Sequence, residues 1–150
     1  MKKSIIGLLT IVSLLLMGNT ANAQSKDKSA VETLVHNYFD ALNSGDAAKV
    51  TSFFTKTGVL LAQGAPTATG SEQVIGTFQY VFENFSYSLK VSIGEVIIQG
   101  NYAIVSSTSA GSFVIKAKNE TVVTEYRETF VIHKEGGVWK IARYMYNQPK

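Results

Sequence analysis

Residues 121–147, TVVTEYRETFVIHKEGGVWKIARYMYN, constrain this chain more than any other stretch. Two runs rich in β-branched and aromatic residues flank Lys134-Glu135-Gly136-Gly137, and the glycines suit a tight reversal, so a β-hairpin is predicted. With residues 134–137 as the loop, His133 opposes Val138 and the register follows outward. One face pairs Ile132 with Trp139, Phe130 with Ile141, Glu128 with Arg143 and Tyr126 with Met145. The other pairs Val131 with Lys140, Thr129 with Ala142, Arg127 with Tyr144 and Glu125 with Tyr146. The first face is the more apolar near the loop and is the predicted inner one. A buried charge persists only when it is paired. An inward Glu128–Arg143 pair beside Tyr126 therefore marks a polar pocket, backed by Trp139, Phe130 and Ile132.

The other end of the chain reads differently. Lys2-Lys3, a short apolar run over residues 5–17 and Ala21-Asn22-Ala23 form the pattern of a secretory signal peptide. The expectation is a leader over residues 1–23, a mature domain over 24–150 and a periplasmic or secreted location. The apolar run is short for a membrane span, so no membrane association is expected after cleavage. The chain carries 14 basic and 11 acidic residues, and loss of Lys2 and Lys3 lowers the net charge from +3 to +1. Such a near-neutral domain lacks the basic stripe that nucleic-acid binding needs. With no cysteine, the domain has no disulfide and no thiolate metal site, and is held by its core alone.

Between these ends the hydrophobic period changes once. Val31, Leu34, Val35, Tyr38 and Leu42 follow helical spacing, after a polar, frayed lead-in at residues 24–29. Gly45 stops this helix and Asp46 caps a second one, over 47–54, that buries Val50, Phe53 and Phe54. A short strand is predicted over 58–63, then a loop over 64–70. Ser71 caps a third helix with Val74, Ile75, Phe78, Phe82 and Phe85 on its buried face. From Ser86 the period is two, and its parity flips at Gly94-Glu95, which predicts a β-bulge. Gly100-Asn101 makes a turn into a long strand over 102–116. Its middle, residues 106–112, holds only Ser, Thr, Ala and Gly, which leaves room for a bend, a close neighbour or a ligand. Helices followed by consecutive strands predict an α+β fold, with three helices on a strongly bent, mainly antiparallel sheet.

That order, with YFDALNSGD at 38–46, a Gly-Ser-Glu-x-Val-Ile helix start at 70–75, Gly-Asn-Tyr-Ala-Ile-Val at 100–105 and Glu-Gly-Gly-Val-Trp-Lys-Ile at 135–141, resembles the nuclear transport factor 2-like superfamily. The chain is most similar to its ketosteroid-isomerase-like and SnoaL-like branches, which implies a cone-shaped fold around a cavity. In the isomerases a tyrosine precedes the helix-starting Asp by eight residues, and Tyr38 fills that place. The resemblance puts Glu128 at their second oxyanion-hole group. Their general base falls at Ala62 or Gln63, neither of which takes a proton, and this argues against isomerase activity. Arg143 opposite Glu128 would also favour the ionised carboxylate over the protonated acid that such catalysis uses.

The cavity set expected from these readings is Tyr38, Tyr126, Glu128, Arg143 and Met145. It is either a satisfied buried network or a ligand-orienting one. His36 and His133 fall on solvated positions, and no spacing matches a metal or cofactor motif, so none is expected. No catalytic residue is assigned. Two function classes remain. One is an exported, non-catalytic domain that binds a small, partly apolar molecule. The other is a cyclase, dehydratase or isomerase acting on a polyketide- or steroid-like substrate, which would need a carboxylate such as Asp40 or Glu83 brought to the site. A homodimer through the outer sheet face is compatible with both.

Overall fold

The computed structural model describes residues 6–149, with side chains from residue 23 onward. Of the leader expected over residues 1–23, all side chains but that of Ala23 lie outside the described ones. Among the described residues no helix is long and apolar enough to cross a membrane.

Helix α1 (Ile6–Ser44) buries Val31, Leu34, Val35, Tyr38 and Leu42, as the helical spacing predicts, and Phe39 and Ala41 besides. The lead-in at residues 24–29 is helical, not frayed. Asp27 accepts hydrogen bonds there from Lys134 Nζ at 2.6 Å and Trp139 Nε1 at 3.1 Å. Those partners are far along the chain, so local polarity carried no sign of the anchor. Gly45, at φ 71°, ends α1 in the left-handed region. Asp46 then caps α2 (Ala47–Ser52), its carboxylate accepting from the Lys49 amide. Strand β1 (Phe54–Ala62) starts earlier than expected, and a two-residue strand β2 (Ala68–Thr69) occupies the expected loop. Helix α3 (Gly70–Asn84) buries Val74, Phe78 and Phe82. Its N-cap is Thr69, not Ser71, and the Gln73 side chain reaches back to accept from the Thr69 amide.

Four long strands follow: β3 (Phe85–Gln99), β4 (Tyr102–Ile115), β5 (Glu120–Glu135) and β6 (Val138–Asn147). The sheet order is β2-β1-β6-β5-β4-β3, and β1 runs parallel to β6 while every other neighbouring pair is antiparallel. The helices cover one face of this curved sheet, which is the α+β architecture expected. The β3 register shifts between Ile93 and Val96, where the parity flip predicted a bulge. The small residues of β4 serve a close approach at one point: a Cβ on Gly111 would lie 2.0 Å from the Ser88 carbonyl oxygen. Asn43, near the end of α1, exchanges two 2.8 Å hydrogen bonds with the backbone of Leu89, which fixes the helix over β3.

The C-terminal hairpin forms, but not in the expected register. Its turn is the two residues Gly136 and Gly137, at φ 57° and 82°, so Glu135 pairs with Val138 and Ile132 with Ile141. A bulge at Ala142 then shifts the register again, and Val131 pairs with Arg143, Phe130 with Tyr144, Thr129 with Met145 and Glu128 with Tyr146. The extra residue reverses which side chains of β6 face inward. Trp139 and Ile141 stay buried, with Phe130 and Ile132, as one layer of the core. Beyond the bulge Tyr144 turns inward, while Arg143 and Met145 turn out to solvent.

Candidate functional site

Alternation along three neighbouring strands builds the site in rows. Ser107 on β4, Glu128 on β5 and Tyr146 on β6 are cross-strand partners, and so are Val105, Phe130 and Tyr144 in the next row. Ser109 pairs with Tyr126 on the other side. The inner face thus changes from a dry layer near the hairpin turn to a polar one further along.

A cavity of about 780 Å³ opens over the polar rows. Tyr38 of α1, Tyr87 of β3, Tyr126 and Glu128 of β5, and Tyr144 and Tyr146 of β6 line it, with α3 on the facing side and residues 63–67 at its border. The tyrosines touch one another. Tyr144 stacks on Phe130 at 4.3 Å between ring centroids and meets Tyr38 edge-on at 5.1 Å; Tyr126 meets Tyr146 edge-on at 5.4 Å. Burial raises the Tyr38 and Tyr144 phenols well above their ordinary value, and also raises Tyr87. Burial, then the neighbouring Tyr126, pushes Tyr146 up to about 12. All four are neutral hydroxyls at neutral pH, able to donate and to accept.

Glu128 is 3% exposed. Ser107 Oγ donates to its Oε2 and Ser109 Oγ to its Oε1, each at 2.5 Å. Burial raises its pKa above the ordinary carboxylate value, and the two serine hydrogen bonds pull it part of the way back. The structure corrects the expected Glu128–Arg143 pair. Arg143 lies on the opposite face, where its Nη1 donates to the Ala142 carbonyl, and Met145 is exposed beside it. Of the expected cavity set, Tyr38, Tyr126 and Glu128 come together; Arg143 and Met145 do not join them. The residues missed are Tyr144 and Tyr146, assigned to the outer face by the wrong register, together with Tyr87 and the two serines.

Ala62 and Gln63, where the resemblance places a general base, do line the cavity, and the Gln63 side-chain oxygen accepts from the Gln148 amide. Asp40 and Glu83 are exposed and lie outside the lining. His36 is exposed, and His133 stacks on Tyr102 at 4.4 Å away from the cavity. Among the described residues no three His, Asp or Glu side chains gather as metal ligands.

A helix-covered, curved sheet around a tyrosine-lined cavity is the cone of the nuclear transport factor 2-like superfamily. Within it, this chain belongs to the SnoaL-like domain family, whose pattern matches residues 35–144. Among solved structures it is similar to a ketosteroid isomerase-like protein from Erwinia carotovora atroseptica, at 28% identity and a TM-score of 0.78, covering 81% of this chain and 95% of that one. It shares its fold with a protein named as an aromatic ring hydroxylase from Novosphingobium aromaticivorans, at 22% identity and a TM-score of 0.74, over 83% and 90% of the two chains. A Streptomyces avermitilis protein named as a dehydratase of the same superfamily matches at 16% identity and a TM-score of 0.71, over 85% and 99%. No curated protein matches the sequence.

Proposed function

We propose that this chain is an exported domain that binds a small, partly apolar molecule in its cone cavity and does not transform it. The observation that carries this reading is the composition of the cavity wall. It offers phenol rings and hydroxyls for binding, but among the described residues Glu128 is its one carboxylate, and the base position is Ala62 or Gln63. The size, about 780 Å³, falls within the range of small-molecule sites. Native mass spectrometry of protein recovered from the periplasm or medium is the test. The expected result is a co-purified small molecule on a chain that begins at Gln24. A full-length, membrane-retained product would contradict export, and a ligand converted during turnover would contradict the passive role.

A second reading, dehydratase- or isomerase-type chemistry, is favoured by one observation. With Arg143 on the far face, nothing cationic in the lining lowers the proton affinity of Glu128, so its carboxylate can take an α-proton and return it while the neutral phenols donate to the carbonyl oxygen. Exchange of α-protons of a bound ketone into deuterated water, abolished by Glu128→Gln, would support it. A homodimer through the outer sheet face is part of the same proposal. Ile97 and Ile104 are cross-strand partners there, each 48% exposed. Sedimentation should give a dimer that Ile104→Asp converts to monomer; a monomeric parent chain would refute it.

A further inference from the structure

We propose, resting on the binding reading above, that the cavity selects a small hydrophobic cation, an alkyl- or arylammonium group set against tyrosine faces and the Glu128 carboxylate. The first ground is charge balance. Among the described residues that line the cavity, Glu128 is the only Asp, Glu, Lys, Arg or His. Both its oxygens accept hydrogen bonds from Ser107 and Ser109, which solvate a carboxylate but do not neutralise it. A buried carboxylate without a partner is costly, and a cationic ligand supplies the missing charge where a neutral one does not.

The second ground is the shape of the walls. Tyr126 and Tyr146 meet at 84° with centroids 5.4 Å apart, and Tyr38 and Tyr144 at 67° and 5.1 Å. Tyr144 stacks one face on Phe130 and Tyr38 is packed among Phe39, Phe54, Phe78 and Phe130, so the ring surface left for a ligand belongs chiefly to the half-buried Tyr126 and Tyr146. Each face carries the negative side of the ring quadrupole, which attracts a cation and repels an anion. Tyr38 and Tyr144 are kept neutral by burial, so they add no anionic charge of their own. The third ground is the donor set. One carboxylate flanked by two hydroxyls is too few ligands for a divalent metal, and no metal-ligand cluster occurs among the described residues. The cation that fits is therefore organic, with its charge spread over a methylated or alkylated nitrogen.

Calorimetric titration of the exported chain at neutral pH tests this with three probes of matched shape: (4-hydroxyphenyl)trimethylammonium, its neutral isostere 4-tert-butylphenol, and anionic 4-tert-butylbenzoate. The ammonium compound should bind at least about tenfold more tightly than the neutral one, and the benzoate most weakly. Glu128→Gln, with its fold checked by circular dichroism, should abolish the preference, bringing the ammonium compound and 4-tert-butylphenol to within about threefold of each other. Tyr146→Leu should weaken the ammonium compound selectively, and Tyr146→Phe, which keeps the ring face, should restore it. Equal or tighter binding of the neutral isostere overturns this proposal and leaves the binding reading standing. Silence from all three probes overturns it too, and native mass spectrometry then decides the binding reading separately.

Discussion

Removing one hydroxyl from the Glu128 cradle should cost an amount that depends on pH. Ser109 is 1% exposed and Glu128 3%, so Ser109→Ala leaves an acceptor that water does not readily reach. A hydrogen bond to an ionised group contributes about 1.5–3 kcal/mol, against about 0.5–1.5 kcal/mol for a neutral pair. The larger figure applies where Glu128 is ionised and the smaller where it is protonated. Its folded pKa lies above the ordinary value of 4.5, chiefly through burial. Glu128 therefore contributes stability that is fully present below its unfolded pKa and is lost as pH rises through the folded one. The serine bonds soften that loss because they favour the charged form. Without Ser109 the folded pKa moves higher and the loss steepens, so the cost of Ser109→Ala grows with pH. In a Glu128→Gln background nothing at this position titrates, and the cost stays near the neutral figure throughout. Urea unfolding of the parent, both single variants and the double variant, at about pH 4 and about pH 8, measures each term of the cycle. A Ser109→Ala cost that is flat with pH and identical with Glu or Gln at position 128 would refute the cradle.

Three further perturbations test the frame around the site. Trp139→Ala empties a site 5% exposed and breaks the bond to Asp27, so chemical denaturation should show a loss of about 3–5 kcal/mol, and a loss below about 1 kcal/mol would place Trp139 on the surface. Gly111→Ala drives a methyl into the Ser88 carbonyl and should destabilise by at least about 1–3 kcal/mol; an unchanged melting temperature would mean that β3 and β4 are not so close. The Thr55 hydroxyl is buried and finds no hydrogen-bond partner among the described residues, so Thr55→Val should raise stability by about 1 kcal/mol, and a clear loss would reveal a partner.

Much of this architecture was legible because periodicity survives in folded chains. The α1 stripe, the Asp46 cap, the bulge at Gly94-Glu95 and the buried layer of Phe130, Ile132, Trp139 and Ile141 all follow from spacing. The site was only half legible, and the cause is local. A Gly-Gly pair suits a two-residue turn, but a four-residue loop preserves the same parity near the turn, so the apolar layer could not distinguish them. The bulge at Ala142 was visible as an odd step between Ile141 and Tyr144, the same kind of signal that located the β3 bulge. An attractive charge pair, Glu128 with Arg143, concealed it. The serine partners of Glu128 depend on the β4–β5 register, and the Asp27 anchor on a contact across nearly the whole domain; neither leaves a local trace.

The parallel pairing of β1 with β6 has a consequence for how the chain is made. β1 emerges early in synthesis, yet among the described residues its only other sheet neighbour is the two-residue β2. Until β6 arrives, most of the β1 backbone has no strand to bond with, and Asp27 waits for Lys134 and Trp139 over the same interval. Closure of the sheet is thus deferred to the last strand, which loads the folding pathway with distant contacts and slows it. A chain cut short before residue 138 would carry β1 as an open template for other chains, so premature termination or C-terminal proteolysis should yield aggregates and not a smaller folded domain.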